Sequence, residues 1–203
     1  MFEPWVGERF GVADNIVGGR RVLCVGESHY AGEHPVGSKV PEMTADAMRL
    51  YQSRPAGERW VRTFDNVAWA VSGKSREELE CDGKRGEFEV WSSLALYNYI
   101  PKVLAKTPRS NRPTPEQFQD GKASFEDVLQ ATNPQVLLIW GYELFPWIIR
   151  NHYPEYDGHP WSFAGEWIDL PRNPPMRAVR MQHPSTGYSP KAWHDVIQRA
   201  VDL

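Results

Sequence analysis

Two stretches of the chain, Val22-Leu23-Cys24-Val25 and Val136-Leu137-Leu138-Ile139-Trp140, are unbroken runs of apolar residues. A strand with one wet face alternates apolar and polar residues, so runs without alternation fit strands that are covered on both faces. Such strands belong to parallel sheets, whose long crossover connections lay helices above and below. Four apolar segments bounded by turn residues, at 21–26, 94–100, 135–141 and 177–182, predict the strands. The expected fold class is α/β: a three-layer α/β/α domain around a central four-stranded parallel sheet.

Between the strands, Trp60, Phe64, Val67, Ala68 and Val71 recur at spacings of three and four, which predicts a helix over 58–71 with one buried stripe. Ser75 and Glu78 are spaced as a capping box, the start of a short helix. Near the end, Ser189 as N-cap, Pro190 at the first helical position, and Trp193, Val196, Ile197, Ala200 and Val201 on one face predict a closing helix. Trp69, Trp91 and Trp193 read as core residues, and His152, His159 and His194 as core or surface histidines. Pro and Gly are frequent over 107–121 and 153–175, which read as long surface loops. The second carries Trp161, Phe163 and Trp167, an aromatic cover for a base or a partner. With 203 residues and no internal repeat, the chain is expected to form one domain; a monomer is the expected state, although nothing in the sequence fixes it.

Charge and cysteine content narrow the function. The net charge of −3 lacks the global basic excess of many nucleic-acid-binding proteins, so any DNA contact needs a local patch. The segment 101–115 supplies one, with Lys102, Lys106, Arg109 and Arg112 and no acid. Cys24 and Cys81 are too few for a disulfide framework or a four-cysteine cluster, which points to a reduced, cytoplasmic setting. No basic segment leads into an apolar stretch at the start, and no run reaches the roughly 18 apolar residues of a membrane span. Neither secretion nor a membrane location is expected.

In an open parallel sheet, ligands collect at the carboxyl ends of the strands. The first strand delivers Gly26-Glu27-Ser28-His29-Tyr30, the second Asn98-Tyr99-Ile100-Pro101, the third Gly141-Tyr142, and the fourth His183-Pro184-Ser185 followed by Thr186-Gly187-Tyr188. An acid, an amide and an imidazole thus share one sheet edge. Breaking a glycosidic bond builds positive charge on the sugar and negative charge on the departing base. A carboxylate stabilises the first or orients water. A neutral imidazole holds the base oxygen as charge grows, an effect of roughly 3–4 kcal/mol for a well-placed donor. An amide offers a donor and an acceptor to the edge of an extruded base.

These three segments, in this order, resemble the uracil-DNA glycosylase superfamily. The resemblance covers the chain from about residue 21 to its end. It implies a DNA glycosylase that needs no metal or other cofactor, has DNA as its partner, and leaves an abasic site. It implies Glu27, His183 and Ser28 as catalytic residues, with Asn98, Tyr30, His29 and Gly26 around the base. Ser185, Thr186, Gly187, Tyr188 and Lys191, with Lys102, would contact DNA, and Tyr188 would fill the gap left in the stack. The chain departs from the best-known branch, which has Gly-Gln-Asp-Pro-Tyr in the first segment: Ser28 stands in the aspartate position, so Glu27 or Glu33 must serve as the acid. The substrate implied is uracil-class or a modified base, including the sugar-decorated hydroxymethylcytosines of some phages, which would make the enzyme an antiviral defence. Two other readings stay open: a catalytically silent sensor of modified nucleic acid, and a metal-dependent hydrolase built on His29, His34, Glu27 and Glu33.

Overall fold

The computed structural model describes residues 2–30, 33–53, 58, 60–80, 84–105, 112–156, 167–185 and 187–202. Its four inner strands are those the apolar runs predict: β2 (Val22–Gly26), β4 (Leu94–Asn98), β6 (Val136–Trp140) and β8 (Met176–Met181). They pair in parallel in the order β4-β2-β6-β8. The expectation of four strands is corrected to six. β1 (Trp5–Val6) adds to β4 and β7 (Trp167–Leu170) adds to β8, both antiparallel. Both additions lie at the edges, where a short strand needs no apolar run because one of its sides is unpaired. A separate pair, β3 (His29–Tyr30) and β5 (Val103–Ala105), sits just beyond the ends of β2 and β4.

Alternation along the inner strands divides the core in two. Leu23, Val25, Leu137, Ile139 and Ala178 face α5 (Pro115–Thr132) and α6 (Leu144–His152), packing on Phe125, Leu129, Phe145 and Ile148. Val22, Cys24, Leu138, Trp140, Val179 and Met181 face the other way, onto α1 (Met43–Ser53), α2 (Val61–Ser72) and α7 (Pro190–Val201). Helices therefore flank a mostly parallel sheet on both faces, which is why β2 and β6 are apolar at every position. Among the described residues, no helix is long and apolar enough to cross a membrane.

The helix expected over 58–71 is α2, starting three residues later. The short helix α3 (Arg76–Leu79) carries both halves of the Ser75–Glu78 capping box, α4 (Glu87–Ser92) leads into β4, and α7 begins on Ser189 and Pro190. The loop expected over 107–121 is corrected: Thr114 and Gln117 form a second capping box, and α5 starts at Pro115. The loop over 153–175 likewise contains β7. Trp91 and Trp193 are core residues, Trp69 is half-buried with its indole N–H on Glu87, and the His152 side chain is fully buried. His194 is half-buried against the Ala70 carbonyl. Trp161, Phe163, His159, Cys81, Lys106, Arg109 and Thr186 lie outside the described residues.

The chain leaves β2 for β4 on one side and returns past β2 to β6 on the other. The connections after β2 and β6 therefore diverge, which makes their carboxyl ends the switch point at which an open α/β sheet takes a ligand into a crevice. The motif beginning at Gly26 sits on one side and Gly141 on the other.

Candidate active site

Gly26 closes β2 opposite Asn98 of β4. A Cβ at Gly26 would come within 2.2 Å of Asn98 Oδ1, so the absence of a side chain is what lets the amide lie across the strand end. The two segments are also stitched by their backbones, with Tyr99 N–H donating to the Gly26 carbonyl (2.9 Å) and Ile100 N–H to that of Glu27 (3.0 Å). Asn98 is the first residue of β4 that is not buried, so the strand delivers its amide at the edge. Gly26→Ala is expected to push that amide aside and to lower stability by about 1–2 kcal/mol, measured by thermal or urea unfolding.

Asn98 Nδ2 lies 2.9 Å from His29 Nε2, and Thr44 Oγ1 lies 3.0 Å from the same nitrogen. A carboxamide nitrogen only donates, so Nε2 accepts and the ring proton sits on Nδ1. His29 packs edge-on against the buried Phe2, with ring centroids 4.8 Å apart, and burial lowers its pKa to about 4. It is a neutral residue that orients Asn98, a role more definite than a contact to the base.

Glu27 follows directly. Its carboxylate accepts from the Tyr30 hydroxyl (3.4 Å) and from Arg112 Nη2 (3.4 Å), and its side chain is 13% exposed. Burial raises its pKa above the ordinary carboxylate value; Arg112 opposes this, Glu143 adds to it, and the Tyr30 hydrogen bond opposes it. Arg112 also pairs with Glu143, three residues beyond the end of β6, and so bridges the segments that follow β2 and β6. Ser28 Oγ is buried and makes no hydrogen bond of good geometry, although it lies close enough to the Tyr30 phenol to lower its pKa, which burial raises. Glu33, the other acid considered, is exposed.

His183 follows β8 with its ring 6.5 Å from that of Trp140, edge to face. The Ser185 N–H donates to Nδ1 at 3.2 Å, and Ser185 Oγ lies 2.9 Å from the same atom. Because a backbone N–H only donates, Nδ1 accepts and the proton lies on Nε2, leaving that N–H as a donor. His183 is open to solvent on one side, yet its pKa is lowered, first by desolvation and then by the charge of Arg112. The charge of Arg112 therefore lowers the pKa of both Glu27 and His183.

The residues expected to contact DNA are less uniform. Ser185, Gly187 and Lys191 are exposed beside His183 and at the start of α7. Tyr188 is corrected: its ring stacks on Trp193 at 5.8 Å and 8°, and its hydroxyl is buried without a hydrogen-bond partner. A residue packed in this way is part of the core beneath α7 rather than a wedge held ready for a duplex. Of the basic segment's cations, the two that are described are both paired, Lys102 with Asp120 and Arg112 with Glu27 and Glu143. Acids from distant positions neutralise cations that looked free in the sequence.

Three residues that sequence reasoning missed, together with Arg112, which it read as part of a phosphate-binding patch, surround the candidate site. Thr44, fully buried in α1, contacts His29; Asn66, buried in α2, donates to the Pro184 carbonyl at 2.7 Å and fixes the His183 segment; Glu143 pairs with Arg112. Asn66 was not legible, because it lies off the apolar stripe of the predicted helix and is buried only through its contact with the Pro184 carbonyl. Among the described residues, no group of three or more His, Cys, Asp or Glu is arranged to hold a metal ion. A cavity of about 970 Å³ lies elsewhere, beside the start of β4, lined by Arg9, Tyr51, Lys74, Arg85 and Ser93 among others. It contains none of the predicted site residues. Comparison of the chain with models of known families and with curated protein sequences gives no match.

Proposed function

We propose that the protein is a DNA glycosylase of the uracil-DNA glycosylase type, which hydrolyses the N-glycosidic bond of an extruded base. What supports the reading is the placement of Glu27, the His29-oriented Asn98 and His183 at the carboxyl ends of β2, β4 and β8, with the charge of Arg112 lowering the pKa of both the acid and the imidazole. Each residue then has a role. The Asn98 amide, held by His29, presents hydrogen-bonding atoms to the base edge. His183, neutral and donating from Nε2, stabilises the oxygen of the base as the C1′–N bond breaks and its electron pair leaves with the base. The Glu27 carboxylate faces the cationic sugar and accepts a proton from the water whose oxygen bonds to C1′. Tyr30, hydrogen-bonded to Glu27, keeps the acid in position.

Protonation sets the pH behaviour. Activity requires Glu27 ionised and His183 neutral, so the rate rises with pH through the ionisation of these groups. Arg112 lowers the pKa of both. Arg112→Gln is expected to raise both and move the acid limb of the kcat/KM profile to higher pH, whereas a purely structural role would leave the limb in place.

The function is tested by incubating the protein with oligonucleotides carrying uracil, hypoxanthine, hydroxymethylcytosine or glucosylated hydroxymethylcytosine, then cleaving abasic sites with alkali. Strand scission on at least one substrate is expected. Binding without scission on every substrate would instead favour a silent sensor.

A further inference from the structure

Every other half-buried arginine among the described residues has a polar acceptor: Arg9 meets Asp14, Arg20 and Arg21 meet main-chain carbonyls, Arg85 meets Asp65, Arg172 meets Tyr153 and Glu126, and Arg177 meets Asp169. Arg180 has none. Its guanidinium carbon lies 4.6 Å from the centre of the Tyr142 ring, and its Nε is buried without an acceptor. Arg180 belongs to β8, three residues before His183, and aligns with Ile139 of β6. Tyr142 follows that strand, is 37% exposed, and immediately precedes Glu143, the partner of Arg112. The stacked pair therefore stands at the rim of the same crevice. A guanidinium fixed by an aromatic face keeps its fork of N–H donors in one plane, the geometry that a phosphate accepts.

The geometry points to Arg180, seated on Tyr142, as an anchor for a phosphate group of the nucleic acid whose nucleotide enters the crevice. This rests on the proposed function for its ligand, although not for its chemistry: no bond is made or broken at Arg180, and the anchor sets the register of the strand while Glu27 and His183 act on the base.

The test is fluorescence anisotropy of a labelled duplex oligonucleotide with wild type, Arg180→Gln, Arg180→Lys and Tyr142→Ala over a range of salt concentrations. Wild type is expected to bind with a salt-dependent Kd. Arg180→Gln should weaken binding several-fold and reduce the slope of log K against log salt by about 0.9, the loss of one phosphate contact. Arg180→Lys keeps the charge, so it should preserve the slope while binding more weakly, and Tyr142→Ala, altered only at an exposed ring, should do the same. An unchanged slope in Arg180→Gln, or no binding by wild type, overturns the anchor. In a second arm, ³¹P line broadening of inorganic phosphate that is lost in Arg180→Gln, with the oligonucleotide slope unaltered, would assign the guanidinium to free phosphate and overturn its assignment to nucleic acid. Base release is read separately: a protein that binds DNA through Arg180 and yet excises nothing leaves the anchor standing and removes the glycosylase reading.

Discussion

Glu27→Ala is expected to reduce single-turnover base release by about 10²–10⁴-fold, the range over which a positioned acid or base contributes. His183→Ala should cost about 10²–10³-fold, the loss of one donor to a developing negative charge. The double variant should fall well short of the product of the two, because the groups act in one transition state. DNA binding should survive in each. The surroundings explain why small changes suffice. Glu27 is held by Tyr30 and Arg112, and His183 by the Ser185 N–H, so neither has to find its orientation during the reaction. Full turnover in both single variants, measured in the same assay, would remove the mechanism.

Acid should destabilise the fold through His29. Its pKa is lowered to about 4 in the folded protein, against an ordinary value near 6.5. The unfolded chain therefore takes up a proton at a pH where the native ring refuses it. Stability is fully present above pH 6.5 and is lost as the pH falls toward 4, by up to about 3 kcal/mol from this residue. Protonation would also place a proton on Nε2, facing the Asn98 amide nitrogen, and turn a donor–acceptor pair into two opposed donors. Urea unfolding at pH 7 and pH 4.5 should show the loss, and His29→Gln should flatten the dependence. An equal pH dependence in that variant would show that other groups carry the effect.

The sheet was legible where burial on both faces forces a continuous apolar run. Val22 to Val25 and Val136 to Trp140 announced parallel strands because helices cover them on each side. Trp5–Val6 and Trp167–Leu170 were not legible, since an edge strand of two or four residues is held by main-chain pairing to a neighbour that the local sequence does not specify. α5 was missed for another reason: its capping box at Thr114 and Gln117 was present, but surrounding Pro and Gly read as loop. In the candidate site, Glu27, Asn98 and His183 could be nominated because each lies at or just after the end of a recognisable strand. Arg112 could not be seen as a clamp, since its carboxylate partners lie 85 and 31 positions away. Tyr188 was misread because its position after the His-Pro-Ser segment gives no hint that its ring turns inward onto Trp193.

The most direct measurement is mass spectrometry of the products formed from the base panel by wild type and by Glu27→Gln under single-turnover conditions. The account predicts an intact free base and an abasic strand from at least one substrate with wild type, and neither from the variant at comparable DNA occupancy. Equal product from both proteins, or DNA returned unaltered from every substrate, would contradict it.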